Sequence, residues 1–243
     1  MELKNIQEIP ERNFINMDQT SVQLVPSENK TYEKTGAKQV DILTSPGEKT
    51  CYTVTLFARG NGEKLPAIVV FKTKAKDGKL PKSEVKKIGA PANVIVTATN
   101  SGWWNGDLDK EILRDLLTGD ENAEDKPTVL IRDQFPRHKT SDVAEMLEDE
   151  GVLQVFVPAG CTGQYQPLDV SVNVVFKKKI AAKYHSWRKT VQGTTKSGYQ
   201  RNPTKKEYVK WISEAWYEIP PELIQNAFGE GCWKHVHIFE NKN

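Results

Sequence analysis

Two short apolar runs constrain the fold more than any other feature. KPTVLIRD (126–133) is almost continuously apolar until it stops at Asp133, and VLQVFVP (152–158) repeats the pattern. Runs of this length without polar alternation are expected of strands buried on both faces of a sheet. Between them TSDVAEMLEDEG (140–151) carries a Thr or Ser cap and a closing glycine, the marks of a helix. A strand, helix, strand unit of this kind predicts parallel strands inside a sheet covered by helices.

The chain before this unit reads differently. NFINMDQTSVQL (13–24) mixes β-branched and aromatic residues in near alternation, a strand with Asp18 near its middle or end. CYTVTLFA (51–58) and LPAIVVFK (65–72) are two more strands, with RGNGEK (59–64) as the turn between them. These three are expected to pair as an antiparallel meander. The Lys-rich KTKAKDGKLPKSEVKK (72–87) reads as a loop and VIVTATN (94–100) as a further short strand. GDLDKEILRDLLTG (106–119) is an amphipathic helix with its apolar face at Leu108, Ile112, Leu113, Leu116 and Leu117. After the second buried strand, PAGCTGQYQP (158–167) reads as a closing proline and a glycine-rich polar loop, and DVSVNVVFKKKIAAKYHSWRK (169–189) as a long helix. KKEYVKWISEAWYEI (205–219) and PPELIQNAFGEGCW (220–233) read as two more, packing back through Trp211, Trp216 and Phe228. The fold class is therefore α/β, a mixed sheet flanked by helices, in one domain over residues 1–243 whose C-terminal helices occupy about 204–233.

Composition narrows the function. At 37% hydrophobic and 27% charged residues the chain is typical of a soluble globular protein, and no apolar run approaches the ~18 residues of a membrane span. Three widely spaced cysteines give neither a disulfide framework nor a zinc knuckle, and a reducing compartment is expected. The net charge of +2 conceals regional imbalance: residues 72–87 hold seven lysines against two acids, and residues 177–206 hold ten Lys or Arg and no acid. In the second stretch Lys177, Lys178, Lys179, Lys183, Arg188 and Lys189 are interleaved with Tyr184, Trp187 and Tyr199. That mixture suits phosphate contact and base stacking, and equally a solvated basic helix.

Three acids occupy comparable positions: Asp18 on the first strand, Asp133 at the end of a buried strand, and Asp169 at the head of the helix after the next one. Ligands of open α/β sheets gather outside the carboxyl ends of the strands. Carboxylates gathered there repel one another unless a cation neutralises them, and hard divalent ions take oxygen ligands. Asp169 also has a purely local reading, as a helix cap. No glycine-rich phosphate loop, Ser/His/Asp order or zinc-spaced Cys/His cluster is present in the sequence, so metal-assisted phosphoryl chemistry leads.

NFINMDQT, the pair YTVTLFARGNGEKLPAIVVFK, LIRDQFPRHKT, VFVPAGCTGQYQPLDVSVN with its following FKKK, and the terminal IQNAFGEGCW occur in this order across nearly the whole chain. Together they resemble the DDE-superfamily transposase domain of pogo-like elements, the pogo, Tigger and jerky branch of the mariner superfamily. The resemblance implies an RNase H-like fold, with Asp18, Asp133 and Asp169 holding two Mg²⁺ or Mn²⁺ ions. It implies DNA cleavage and strand transfer on transposon ends and target DNA, by a homodimer or larger assembly, in the nucleus and away from membranes. Thirty-five residues separate Asp133 from Asp169, within the range of such enzymes. Asn173, one helical turn after Asp169, would face the same site. His138 falls where many relatives carry His, with a packing or capping role as the alternative to a catalytic one.

Two positions depart from the pattern: Gln19 stands where relatives often have Glu, and Arg132 where they often have Leu or Trp. The helix-turn-helix region that precedes such catalytic domains is not among these residues, so recognition of specific ends is not expected from them. Two other readings share the fold. One is a domesticated descendant that binds DNA or chromatin without cutting, and the other is a nuclease acting on RNA and DNA hybrids.

Overall fold

The computed structural model describes residues 9–26, 35–36, 50–117, 127–134, 141–191, 195–196 and 201–233. Its centre is a six-stranded sheet of β1 (Phe14–Gln23), β2 (Cys51–Arg59), β3 (Ala67–Lys72), β4 (Val94–Thr99), β5 (Thr128–Asp133) and β6 (Val152–Val157), in the spatial order β4-β3-β2-β1-β5-β6. β2 is antiparallel to both neighbours, as the expected meander requires, and the other five strands run in one direction. The two apolar runs, β5 and β6, pair in parallel from Thr128 opposite Val152 to Asp133 opposite Val157.

Side-chain alternation sends each strand's residues to two cores. Phe14, Val54, Val69, Val129 and Ile131 face α5 (Asn173–Thr190), α6 (Lys205–Tyr217) and α7 (Pro221–Gly231). Ile15, Met17, Phe57, Ile68 and Leu130 face α2 (Gly106–Leu117) and α3 (Ser141–Asp149). The apolar stripe expected of α2 is the one buried, at Leu108, Ile112, Leu113 and Leu117, with Leu116 partly buried. Trp216 and Phe228 are enclosed, each a burial worth roughly 2 to 3 kcal/mol. α6 starts with a capping box in which Thr204 and Glu207 satisfy each other's backbone N–H groups. Its far end is held by Lys64, whose ammonium donates to the carbonyls of Tyr217 at 2.8 Å and Ile219 at 2.5 Å.

The β2–β3 turn lies under α7. Gly62 has φ +90° and no room for a Cβ, which would sit 2.8 Å from the Pro221 carbonyl oxygen. No helix among the described residues is long and apolar enough to cross a membrane.

Three local expectations are corrected. The Lys-rich stretch is not all loop: α1 (Lys82–Ile88) forms within it, stopped by Gly89 in the left-handed region. The glycine-rich loop after β6 contains a short helix, α4 (Thr162–Tyr165). The long helix expected from residue 169 begins instead with a π turn over Leu168–Val172, in which the Asn173 N–H donates to the Leu168 carbonyl, and only then continues as α5.

Candidate active site

Asp18 and Asp133 reach the same level by register. β1 and β5 pair in parallel through Phe14 and Val129, Ile15 and Leu130, and Asn16 and Ile131, and two residues further on lie the two aspartates. Pairing ends at that rung because side chains take over. Asn16 Nδ2 donates to the Ile131 carbonyl at 2.9 Å, and Asn16 Oδ1 accepts the Leu168 N–H at 2.9 Å. One buried amide thus ties β1, β5 and the start of the π turn together. α7 closes against the same turn, where a Cβ on Gly231 would lie 3.2 Å from Val170 Cγ2 and 3.4 Å from the Pro167 nitrogen.

The turn delivers Asp169 toward Asp18. Asn173 Nδ2 donates to Asp169 Oδ1 at 2.9 Å and also to Asp18 Oδ2, so one amide bridges two carboxylates. The other Asp18 oxygen accepts from Gln166 Nε2 at 2.6 Å. Capping does not account for Asp169, because the N-cap residue of the π turn is Pro167 and no side-chain cap hydrogen bond is made there. The Asp169 N–H itself donates to the Gln166 carbonyl.

Asp18 is buried, and its carboxyl is pushed up to about 7. Burial is the largest cause, followed by the negative charge of Asp169. The Asn173 hydrogen bond opposes the rise, Asp133 adds to it, and the Gln19 backbone N–H opposes it slightly. Asp18 therefore carries the negative field of both other aspartates. Beside it the buried oxygens Asn173 Oδ1 and Gln166 Oε1 have no hydrogen-bond partner.

The atoms here that could ligate a metal are oxygens, those of the carboxylates and of the unpartnered Asn173 and Gln166 amides, which is the set that a hard divalent cation takes. A cation would also offset the repulsion recorded at Asp18. The chemistry of the site fits Mg²⁺ or Mn²⁺ in donor type and in charge. Among the described residues, however, no group of three or more His, Cys, Asp or Glu is placed to hold a metal ion.

Behind the site, on the opposite face of the sheet, stands a second polar group. Arg132 is fully buried and donates to both oxygens of buried Asp109 at 3.0 and 2.7 Å, and to Gln154 Oε1 at 2.5 Å. Asp109 also accepts from the Trp104 indole at 2.9 Å.

Residues 49–228 match the DDE superfamily endonuclease family. The chain belongs to that family. Among its relatives, the human "Pogo transposable element with KRAB domain" is 27% identical over 93% of this chain and 35% of its own length. The human "Pogo transposable element with ZNF domain" is 23% identical over 75% of this chain and 12% of its own. The chain thus spans about a third or less of the curated relatives it matches, and the expected likeness to pogo-like elements is borne out.

Solved structures agree on the fold. A Mos1 transposase paired-end complex with left transposon end superposes with a TM-score of 0.59 at 10% identity, covering 93% of this chain and 54% of that one. The Mos1 catalytic domain solved with Raltegravir and Mg superposes at 0.53 and 11% identity, covering 99% of this chain and 89% of that one. The mixed sheet is RNase H-like, as the family implies.

Of the residues singled out from sequence, Asp18, Asp169 and Asn173 meet directly, and Asp133 stands level with Asp18 on the next strand. His138 lies outside the described residues. Asn16 and Gln166 were missed. On α5 the basic residues divide. Lys177, Lys178 and Lys189 are exposed. Lys179 pairs with Glu218 at 3.1 Å, Lys183 pairs with Glu218 at 2.7 Å and Glu214 at 3.0 Å, and Arg188 is half-buried. The base-stacking reading of the aromatics is overturned for Tyr184, which is buried against Trp187 and Trp211. Half-buried Trp187 gives its indole N–H to Glu207 at 2.8 Å, and Tyr199 lies outside the described residues.

Proposed function

We propose that this chain is the catalytic domain of a metal-dependent DNA strand-cleaving and strand-joining enzyme of the DDE type. The observation that carries the reading is the Asn173 bridge between Asp18 and Asp169, which holds a buried and a half-buried carboxyl group side by side. A purely structural core gains nothing from that arrangement. Asp18, Asp169 and Asp133 are the residues that would hold Mg²⁺ or Mn²⁺. When bound, two such ions supply an activated water or 3′-hydroxyl and charge stabilisation for the leaving oxygen. Asn173 and Gln166 orient Asp18, and Asn16 fixes the turn that carries Asp169.

DNA is the proposed substrate, with transposon ends and target DNA as its forms, handled by a homodimer or larger assembly in the nucleus. The support is the family match, together with neighbours described as transposase complexes with a transposon end. Exposed Lys177, Lys178 and Lys189 are proposed to contact phosphates.

A second reading has an observation of its own. Both Asp18 oxygens are engaged by amide donors, and no three-residue metal group is assembled among the described residues. That favours a domesticated descendant that binds DNA or chromatin and no longer cuts. Plasmid nicking in Mg²⁺ or Mn²⁺ separates the two. The catalytic reading expects nicking that Asp133→Ala and Asp169→Ala each abolish while the far-UV circular dichroism stays that of the parent. Nicking that survives either change would sink it.

A further inference from the structure

The lysines left free of ion pairs are concentrated away from α5, at the other edge of the sheet. Lys72, Lys74, Lys76, Lys79, Lys82, Lys86 and Lys87 are all exposed, and none pairs with a carboxylate among the described residues. Glu84 is taken by Lys205 at 2.6 Å, which leaves Asp77 as the remaining acid of the stretch.

Against this loop sits an exposed tryptophan. Trp103 is 57% exposed, whereas its neighbour Trp104 is buried with its indole N–H on Asp109. The turn that displays it is held at several points. The Thr99 hydroxyl donates to the Trp103 carbonyl at 2.9 Å, and the Trp103 N–H donates to the Ser101 hydroxyl at 3.2 Å. Gly102, with φ +77°, brings the turn so close to the loop that a Cβ there would lie 3.0 Å from Lys72 Cβ. Two further bonds join loop and turn: the Thr73 N–H to the Thr99 carbonyl at 3.0 Å, and Asn100 Nδ2 to the Ala75 carbonyl at 3.1 Å. Beside them opens a cleft of about 570 Å³ whose lining includes Lys76, Lys79 and Asn105 together with the acids Asp77, Asp107 and Glu111.

An exposed indole on a braced turn that is hydrogen-bonded to the lysine-bearing loop matches a strand of nucleic acid in both charge and stacking capacity. The lysines suit successive phosphates and the indole a base face, and the match tolerates any sequence. The strands that end here run parallel to β1 and β5, so the surface is on the carboxyl side of the sheet, as Asp133 is. Counting five residues along the register and two strands across, it stands roughly 20 Å from Asp18, on the order of six nucleotides away.

We infer that Lys72 to Lys79 and Trp103 form a docking surface for an unpaired DNA strand, with phosphates along the lysines and a base stacked on Trp103. The ligand class rests on the proposed DNA-processing function; the surface itself rests on the geometry above.

Binding of a fluorescein-labelled mixed-sequence single strand and of its duplex is measured by anisotropy in EDTA, where no cleavage occurs, across a salt series. Trp103→Ala is expected to weaken single-strand binding roughly tenfold with little change in salt slope, and Trp103→Phe to recover most of the loss. The triple variant Lys74→Gln, Lys76→Gln, Lys79→Gln is expected to lower the salt slope by about two. Thermal melts verify that each variant is folded. Parental affinity and slope in both Trp103→Ala and the triple variant would overturn the inference, as would absence of single-strand binding by the parent. Intact binding without metal-dependent nicking would remove the catalytic reading and leave this surface standing.

Discussion

Arg132 and Asp109 form an ion pair at 2.7 Å with neither side chain exposed, one residue before Asp133 and on the opposite face of β5. Breaking a buried pair leaves the surviving charge uncompensated, which costs about 3 to 5 kcal/mol. Arg132→Leu is therefore expected to lower stability to urea by that amount. Adding Asp109→Leu removes the orphaned charge and is expected to recover at least about 1 kcal/mol, a coupling that a double-mutant cycle reads directly. Strict additivity of the two losses would contradict the pairing.

Asn173 joins the two carboxylates of the site. Asn173→Ala removes the donor from Asp18 and Asp169 together, and unsatisfied buried groups of this kind cost about 1 to 3 kcal/mol. The loss is expected to be larger at pH 8 than at pH 5, because the missing bond is one that favours ionised Asp18. Chemical denaturation at the two pH values checks both magnitude and order.

Asp18 sets the sign of the pH dependence. Its carboxyl rises from an ordinary value of 3.8 to about 7, so the fold favours the protonated form. The contribution is fully present below about pH 4, is lost as pH rises through 7, and amounts to about 4 kcal/mol at most in the metal-free chain. Asp18→Asn imitates the protonated form. Its stability relative to the parent is expected to grow between pH 4 and pH 7 and to level off above, as read from paired denaturation curves.

On α5, structural and exposed lysines are expected to separate. Lys183 joins α5 to Glu214 and Glu218 of the neighbouring helix region. Lys183→Gln is expected to lower stability by about 0.5 to 1 kcal/mol while leaving the salt slope of DNA binding unchanged. Lys177→Gln with Lys178→Gln is expected to do the reverse, lowering the slope by about 1.5 to 2 units with stability unchanged.

These contrasts show which features a linear reading can reach. β5 is legible because burial on both faces leaves an uninterrupted apolar run, and Asp133 because it ends one; β6 carries a similar run yet is the edge strand, with Leu153 to Phe156 only half-buried, so the expectation of burial on both faces is corrected there. Asp18 and Asp169 are legible through the family motifs that surround them. Asn16 and Gln166 are not, since their partners lie about 150 positions away and an amide inside a strand or loop looks like any other polar residue. Nor does composition show that Arg132 and Asp109 are buried, because charged residues are normally exposed and only the contact neutralises them. The π turn is a shift in backbone hydrogen bonding with no residue signature, yet it leads into the Asn173 bridge. Tyr184 was misread because aromatics among lysines suit a nucleic-acid surface and the buried face of a helix equally well.

Calorimetric titration of the folded chain with Mn²⁺ shows whether Asp18, Asp133 and Asp169 form a metal-dependent site. Saturable binding by millimolar Mn²⁺ is expected, lost in Asp18→Asn and in Asp169→Asn. No binding by the folded parent, or binding unchanged in both variants, would contradict it.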